Sequence, residues 1–180
     1  MRVYIGPMTQ ASDPVVIASF ARTPMGGFQG ALSGVKATEL GASEITPIVS
    51  ARCEVRLKDE RADKRMAHWR QVAISACEQC GRSVLPLIHA PLELDAWLQQ
   101  IDADLKLVLH PIAAPLQSHD KPNSLAFLVG PEGGLSEAEV GQAKAAGFHA
   151  ARLGPRVLRT ETAPVVALSV AQQLWGDLQA

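Results

Sequence analysis

Two short, largely apolar runs constrain the fold of this chain more than any other feature. They are Leu105–Leu109 and Leu125–Val129, and neither alternates regularly between apolar and polar residues. A strand with one solvent-facing side would alternate, so a largely apolar run predicts a strand that is buried on both faces. Segments with helical periodicity lie between such runs. The sequence therefore predicts an α/β fold in which helices flank a mostly parallel sheet.

The first part of the chain carries weaker signals of the same kind. Val15–Ala18 is rich in β-branched residues and predicts a strand. A helix is expected over Leu32–Leu40, ended by Gly41 in a position that tolerates left-handed backbone angles. Ile45–Val49 is apolar, but Pro47 cannot donate a hydrogen bond to a neighbouring strand. We expect a short strand or an edge strand there.

Four helices are predicted in the remainder of the chain. The clearest covers Ala62–Gln79, a short one follows Pro91, and the last begins near Pro164, a residue favoured in a first helical turn. Ser136 and Glu139 have the spacing of a capping box, which predicts a helix start. The first of these helices carries an apolar stripe at three- and four-residue spacing, made of Met66, Trp69, Ala73 and Ala76.

The overall charge does not indicate a nucleic-acid-binding protein. The chain has 17 Lys and Arg against 18 Asp and Glu, a net charge of −1. Any affinity for RNA must therefore come from a local basic patch. The best candidate is the segment from Arg52 to Arg70, where basic residues outnumber acidic ones. A solvated helix face of mixed charge explains the same pattern equally well.

The cysteines and the lengths of the apolar runs favour a cytoplasmic protein. Three cysteines are an odd number and do not suggest a disulfide framework. Cys77 and Cys80 have the Cys-x-x-Cys spacing of zinc ligands, but no second pair accompanies them, so no metal is expected. No run approaches the length of a membrane span, and the first residues do not resemble a secretory signal, so no membrane association is expected.

The segment FLVGPEGGLS, residues 127–136, is the first candidate for a ligand site. A buried strand ends in a glycine-rich turn, and a capped helix follows at once. Ligands of open α/β sheets bind at the carboxyl ends of strands, where glycines allow close approach to the backbone. Glu132 would repel a phosphate, so a neutral or cationic nucleoside fits better. The alternative is a tight turn that binds nothing.

The segment ARLGPRVLRTETAP, residues 151–164, is the second candidate. It runs from a predicted strand through a loop into the last helix. Its arginines, Arg152, Arg156 and Arg159, could bind phosphate oxygens through charge-assisted hydrogen bonds. The alternative is a set of solvated arginines with a surface pair between Arg159 and Glu161 that contributes little.

Four segments in this order resemble a known enzyme family. They are KATELGASEITPIVSARCEVRL, ACEQCGR, GPEGGLSEAE and LGPRVLRTETAP, which lie between Lys36 and Pro164. They resemble the bacterial 16S ribosomal RNA (uridine-N3) methyltransferases of the SPOUT class. The resemblance implies a SPOUT-type α/β domain whose C-terminal part forms a trefoil knot. Default topology rules would not have predicted a knot.

The resemblance also implies S-adenosyl-L-methionine as the methyl donor, bound by the two glycine-containing loops. His110, after a third strand, either approaches the same pocket or faces solvent as a loop residue. The residues implied to bind the donor from the first loop are Gly130, Glu132 and Gly133, and those implied to surround its adenine are Leu153, Gly154 and Leu158.

Methylation of uracil N3 requires the loss of a proton whose pKa lies well above neutrality, so the site must stabilise an anion or supply a base. The resemblance points to Arg159 for stabilising the anion and to Glu161 for orienting Arg159 or relaying the proton. The expected RNA contacts are Arg52, Arg82 and Arg156.

The beginning of the chain departs from this family. Residues 13–42 resemble the N-terminus of a thiolase, although the catalytic residues of thiolases lie in later segments that are not found here. We therefore expect an atypical thiolase-like segment over residues 1–35 and the knotted methyltransferase domain over residues 36–180. The family's N-terminal PUA-like barrel is expected to be absent. The strand predicted at Val15–Ala18, which takes the place of the family's first strand, is expected at the edge of the sheet.

The expected function is the methylation of a uridine in 16S ribosomal RNA or the small ribosomal subunit, by a homodimer formed through the C-terminal helix. Residues 165–174 of that helix are apolar enough to form an interface. The alternative is a knotted module that binds the methyl donor or RNA but is catalytically impaired without its barrel.

Overall fold

The two apolar runs form neighbouring strands inside a parallel sheet. The computed structural model describes residues 15–21, 36–53, 59–116 and 119–178. Within these ranges the strands are β1 (Val15–Ala21), β2 (Ala42–Val49), β3 (Leu87–Ile88), β4 (Leu92–Glu93), β5 (Leu105–Pro115), β6 (Ser124–Val129) and β7 (His149–Arg152). The helices are α1 (Asp59–Cys80), α2 (Leu94–Gln100), α3 (Glu137–Ala145) and α4 (Ala163–Trp175). Each described strand pairing is parallel, which confirms the predicted α/β class.

The strand order is β3-β2-β1-β6-β5-β7, and β4 also pairs with β2. β1 therefore lies inside the sheet, and its Ala18 pairs with Ile45 of β2 and Phe127 of β6. The predicted edge position for this strand is wrong. The sequence VVIASFA explains the difference, because a largely apolar strand without strict alternation suits a position between two other strands.

β2 is also an interior strand, which corrects the prediction made from Pro47. Pro47 pairs with Phe20 of β1 on one side. On the other side β3 pairs with Glu44 and Ile45, and β4 pairs with Ile48 and Val49. Pro47 thus lies opposite the gap between β3 and β4. The N–H group that proline lacks therefore interrupts no described pairing on that side of β2.

Helices cover both faces of the sheet, as the apolar runs require. Phe127 and Leu128 are adjacent in β6 and are both almost fully buried. Phe127 belongs to an apolar cluster that includes Leu168 of α4. Leu128 belongs to a second cluster that includes Trp97 of α2. Because successive side chains of a strand point to opposite faces, each face has its own core.

The predicted helices are confirmed with small shifts of their ends. α1 contains the predicted stripe, and its Met66 and Ala73 pack with Ile88 of β3. α4 begins with a proline in its first turn, as expected. The helix expected over Leu32–Leu40 is observed at residues 36–39, and its first residues lie outside the described part of the chain. No described helix is both long and apolar enough to cross a membrane.

The parallel arrangement brings several loops to one edge of the sheet, because the carboxyl ends of parallel strands all lie there. The loop at residues 50–53 follows β2, the turn at residues 130–136 follows β6, and the loop at residues 153–162 follows β7. β5 contributes a register irregularity between Leu109 and Ala114 at the same edge.

Candidate active site

A cavity of about 760 Å³ opens at this edge of the sheet. Its volume lies in the range of sites that bind small molecules and cofactors. Its walls come from β5, from the turn after β6 and from the loop after β7. It brings together most of the residues that the sequence singled out, namely His110, Gly130, Glu132, Gly133, Leu153, Gly154, Arg156, Leu158, Arg159 and Glu161.

The turn after β6 has no room for a side chain at its first glycine. A Cβ atom on Gly130 would lie 2.9 Å from the backbone nitrogen of Leu135 and 3.2 Å from the carbonyl carbon of Gly134. The Gly134 N–H group donates to the Pro131 carbonyl at 2.8 Å and closes the turn. The chain therefore folds back tightly on itself, and the turn contributes backbone to the cavity wall.

The helix that follows starts with the predicted capping box. One carboxylate oxygen of Glu139 accepts hydrogen bonds from the Ser136 N–H at 2.7 Å and the Ser136 hydroxyl at 2.9 Å. The Ser136 hydroxyl oxygen accepts from the Glu139 N–H at 3.3 Å. The other carboxylate oxygen accepts from the Ala51 N–H at 2.7 Å. Glu139 thus joins the start of α3 to the loop after β2.

Glu139 is buried yet ionised. Burial alone would raise the pKa of its carboxyl group, because desolvation disfavours the charged form. The hydrogen bonds from Ala51 and Ser136 and the positive charge of Arg52 outweigh that effect, so the pKa lies below its ordinary value of 4.5. The negative charge is therefore retained at neutral pH.

A second contact joins the same two loops. The Arg52 guanidinium donates a hydrogen bond to the Gly133 carbonyl oxygen at 2.6 Å. The stem of Arg52 also packs against this turn, because a Cβ atom on Gly133 would lie 3.4 Å from it. The loop after β2 is therefore bound to the turn after β6 through Arg52 and to the start of α3 through Glu139.

The lowered pKa of Glu139 leads to a prediction for stability against pH. Because the pKa of Glu139 is lower in the folded protein than in the unfolded chain, its ionised carboxylate adds to the free energy of unfolding above about pH 4.5. This stabilisation is lost as the pH falls through the folded-state pKa. Replacing Glu139 with glutamine is expected to cost about 1–3 kcal/mol at pH 7. Denaturant unfolding at several pH values would measure it. A cost that persists undiminished at pH 2 would contradict this account.

The loop after β7 carries the candidate catalytic pair. Arg159 is 83% exposed, and its Nη1 lies 3.9 Å from Oε1 of Glu161, whose side chain is 27% exposed. At this distance and exposure the ion pair is weak, as the alternative interpretation of the sequence expected. The Arg159 carbonyl accepts hydrogen bonds from the N–H groups of Thr162 and Ala163 at 2.9 Å, which fixes its backbone at the start of α4. Its guanidinium can therefore reorient toward a ligand in the cavity.

His110 lies in the cavity wall and not merely in a solvent-facing loop. Its Nδ1 atom is 3.2 Å from the Ile112 nitrogen and 3.3 Å from the Ile112 carbonyl oxygen. In the neutral ring Nδ1 accepts from the Ile112 N–H group, which leaves the proton on Nε2.

The three predicted RNA contacts differ in their surroundings. Arg156 is exposed on the cavity wall. Arg82 donates hydrogen bonds to the carbonyl oxygens of Thr38 at 2.6 Å and Ala42 at 2.9 Å, so it joins the end of a helical turn to the start of β2. Arg52 is bound to the Gly133 carbonyl. Arg56 and Lys58 of the basic segment lie outside the described residues. The RNA-binding roles stay predictions.

Sequence reasoning missed two features of this site. Val157 lines the cavity although it is 82% exposed, and nothing in the pattern of an arginine-rich loop marks it. The capping box was visible, but the second partner of Glu139 was not, because Ala51 precedes it by 88 residues. In the described part of the chain no three His, Cys, Asp or Glu side chains gather into a metal-binding group.

The chain is similar in sequence to known proteins. Residues 32–172 match a family model described as RNA methyltransferase domain. A ribosomal RNA small subunit methyltransferase E from Buchnera aphidicola is 37% identical over 146 residues, which is 79% of this chain and 59% of the relative. The protein of the same name from Bacillus subtilis is 38% identical over 145 residues, 74% of this chain and 57% of the relative. The chain thus spans less than two thirds of both curated relatives.

Two solved structures share the fold and were determined with a ligand. A putative methyltransferase from Legionella pneumophila in complex with the bound cofactor SAM superposes with a TM-score of 0.86 at 39% identity, covering 92% of this chain and 69% of that one. A ribosomal RNA small subunit methyltransferase E from Neisseria gonorrhoeae bound to S-adenosyl methionine gives 0.85 at 37% identity, covering 96% and 71%.

Proposed function

This chain belongs to the family of RNA methyltransferase domains that includes ribosomal RNA small subunit methyltransferase E, and we propose that it methylates N3 of a uridine in 16S ribosomal RNA with S-adenosylmethionine. The observation that carries this proposal is the cavity between two loops. The turn at residues 130–136 forms one wall, and the loop at residues 153–162 with Arg159 and Glu161 forms the other.

The cavity fits the methyl donor in size and in chemistry. A volume of about 760 Å³ accommodates a nucleoside with an amino-acid tail. Leu153 and Leu158 offer apolar contact for the adenine, and the tight turn at Gly130 offers backbone hydrogen-bonding groups. Glu132 in the same wall suits a positively charged ligand better than a phosphate. When bound, the donor supplies a methyl group on a positively charged sulfur.

Arg159 is proposed to bind the uracil ring as it loses the N3 proton. A guanidinium at this position stabilises the negative charge that spreads onto the ring oxygens. Glu161 lies on the same loop and either orients Arg159 or passes the proton to solvent. Its carboxylate lies 3.9 Å from Arg159, close enough to bias the orientation of the guanidinium when the base enters.

The RNA backbone is proposed to cross the rim of the cavity near Arg156. This side chain is exposed and lies three residues from Arg159. Phosphate contacts of this kind contribute affinity that falls with rising salt concentration.

The knot and the homodimer implied by the resemblance, and the cytoplasmic location inferred from the cysteines and the apolar runs, are part of this proposal. For the dimer, α4 offers a partly exposed apolar surface that includes Val166, Val170 and Leu174. Helix surfaces of this composition often pair with a copy of themselves around a two-fold axis. The domain boundary expected between residues 35 and 36 is also proposed, although β1 from the first segment pairs within the same sheet.

Two measurements test the proposed function. The first is calorimetric titration of the purified protein with S-adenosylmethionine, for which micromolar binding is expected. The second is incubation with the donor and small ribosomal subunits from cells that lack this methylation, followed by mass spectrometry of the nucleosides. The expected product is 3-methyluridine.

Large ribosomal subunits serve as the control substrate and are expected to remain unmodified. Donor binding without 3-methyluridine in either subunit would contradict the proposed reaction. It would favour the interpretation of the chain as a binding module.

A further inference from the structure

We propose that Arg52 and Glu139 are positioning residues for the methyl donor, a role that rests on the proposed function. Together they hold the turn at residues 130–134, here called the donor turn, and the start of α3 against the loop after β2. The sequence had assigned Arg52 to RNA and Glu139 to helix capping. Their contacts in the structure connect both residues to the donor site instead.

The donor turn needs support from outside itself. Three of its five residues are glycines, so it has few side chains with which to hold its own conformation. Glycine has more accessible backbone conformations than any other residue, and fixing it costs correspondingly more entropy. One internal hydrogen bond, from the Gly134 N–H to the Pro131 carbonyl, closes the turn. A ligand that binds to this backbone requires the turn to be held in one place.

The loop after β2 is a fixed anchor for this purpose. It begins directly after a central strand, and its Ser50 is 6% exposed. The Cys53 N–H donates to the Ser50 carbonyl at 3.1 Å, which closes a tight turn. The Ser50 hydroxyl and the Cys53 thiol lie 3.2 Å apart, within hydrogen-bonding distance. Because the loop after β2 is continuous with the sheet, its contacts fix the donor turn relative to the sheet.

The two contacts hold adjoining parts of the wall. Arg52 binds the donor turn at the Gly133 carbonyl, at 2.6 Å. Glu139 binds the Ala51 N–H at 2.7 Å and the Ser136 N–H at 2.7 Å, so it fixes the point where the turn becomes a helix. Both contacts involve an ionised group, which makes each hydrogen bond stronger than a neutral one. The stem of Arg52 adds packing against the turn.

The two roles of Arg52 predict different results in the absence of RNA. An arginine that binds phosphate contributes nothing until the nucleic acid is present. An arginine that positions the donor turn affects donor binding by the free protein. The donor affinity of RNA-free protein therefore separates the two roles.

The experiment compares Arg52→Ala and Arg52→Lys with Arg70→Ala. Arg70 is an exposed arginine of the same basic segment, on α1, and makes a matched control. Calorimetric titration with S-adenosylmethionine, without RNA, is expected to show about tenfold weaker binding for Arg52→Ala. Arg52→Lys is expected to recover part of the loss, and Arg70→Ala is expected to bind as the unaltered protein does.

Steady-state kinetics distinguish the positioning role from a loss of folded protein. For Arg52→Ala the KM for the donor is expected to rise about tenfold, while kcat at saturating donor changes less than about threefold. Glu139→Gln is expected to raise the same KM, with a lower melting temperature in addition. Amide hydrogen exchange at residues 132–135 is expected to accelerate in Arg52→Ala before any donor is added.

Unchanged donor affinity and unchanged exchange in Arg52→Ala, together with weaker RNA binding, would overturn the inference and restore the RNA role. If the unaltered protein binds no donor, the proposed function fails. Faster exchange of the donor turn in Arg52→Ala would then still support the positioning contact. The two failures are therefore distinguishable.

Discussion

Replacing Arg159 with alanine is expected to lower kcat by about a thousandfold while the affinity for S-adenosylmethionine changes less than about threefold. Removing one preorganised group that stabilises a developing anion typically costs two to three orders of magnitude in rate. Arg159 is largely exposed and only loosely paired with Glu161, so the fold does not depend on it. Single-turnover methylation of small ribosomal subunits, with saturating donor, would measure the change.

Two companion variants show whether the effect comes from the charge and hydrogen-bonding geometry of Arg159. Arg159→Lys keeps the charge but loses the planar fork of donors, so an intermediate rate is expected. Arg156→Ala is expected to weaken RNA binding and to make it less dependent on salt, with little change in kcat at saturating RNA. A rate for Arg159→Ala within tenfold of the unaltered protein would remove Arg159 from the reaction.

Replacing Gly130 with valine is expected to abolish measurable donor binding, a loss of at least about a hundredfold. Even a Cβ atom would approach the Leu135 nitrogen to 2.9 Å, and that neighbour is backbone, which cannot rotate away as a side chain does. The turn must therefore move, and the cavity wall moves with it. Calorimetric titration would measure the loss, and circular dichroism would establish that the variant is folded.

Another glycine provides a matched control for this change. A Cβ atom on Gly141, inside α3, would meet nothing within 4 Å. Gly141→Ala is therefore expected to stabilise the protein by about 0.5–1 kcal/mol without altering donor binding, because alanine is the better helix former. Normal donor binding by Gly130→Val would show that the turn does not form the site.

Local patterns were sufficient to predict most of the elements. The runs that became β5 and β6, the stripe of α1 and the capping box at Ser136 depend on residues close together in the sequence. The convergence of the two loops on one cavity was implied by the resemblance to the methyltransferase family. The resemblance to a family added residue roles that periodicity does not contain.

The errors concern partners that are distant in sequence. The positions of β1 and of Pro47 in the sheet depend on which strands lie beside them, and no local pattern records this. The hydrogen bond from Arg52 to Gly133 spans 81 residues and was not predicted for the same reason, while the RNA contact expected of Arg52 stays a prediction. The catalytic and binding roles of the cavity residues stay predictions, since they depend on ligands and not on the fold.

The interior position of β1 has a consequence for the order in which the molecule assembles. On the described path of strand pairings, β1 is the link between β2 and β6, and its Val15 pairs with Ser124. β1 therefore completes its pairing only after β6 has been made. Until then the unpaired edge of β1 is available for association with other chains. The long sequence separation between β1 and β6 also slows their pairing. The sheet thus stays incomplete at its centre until residues 124–129 have been made.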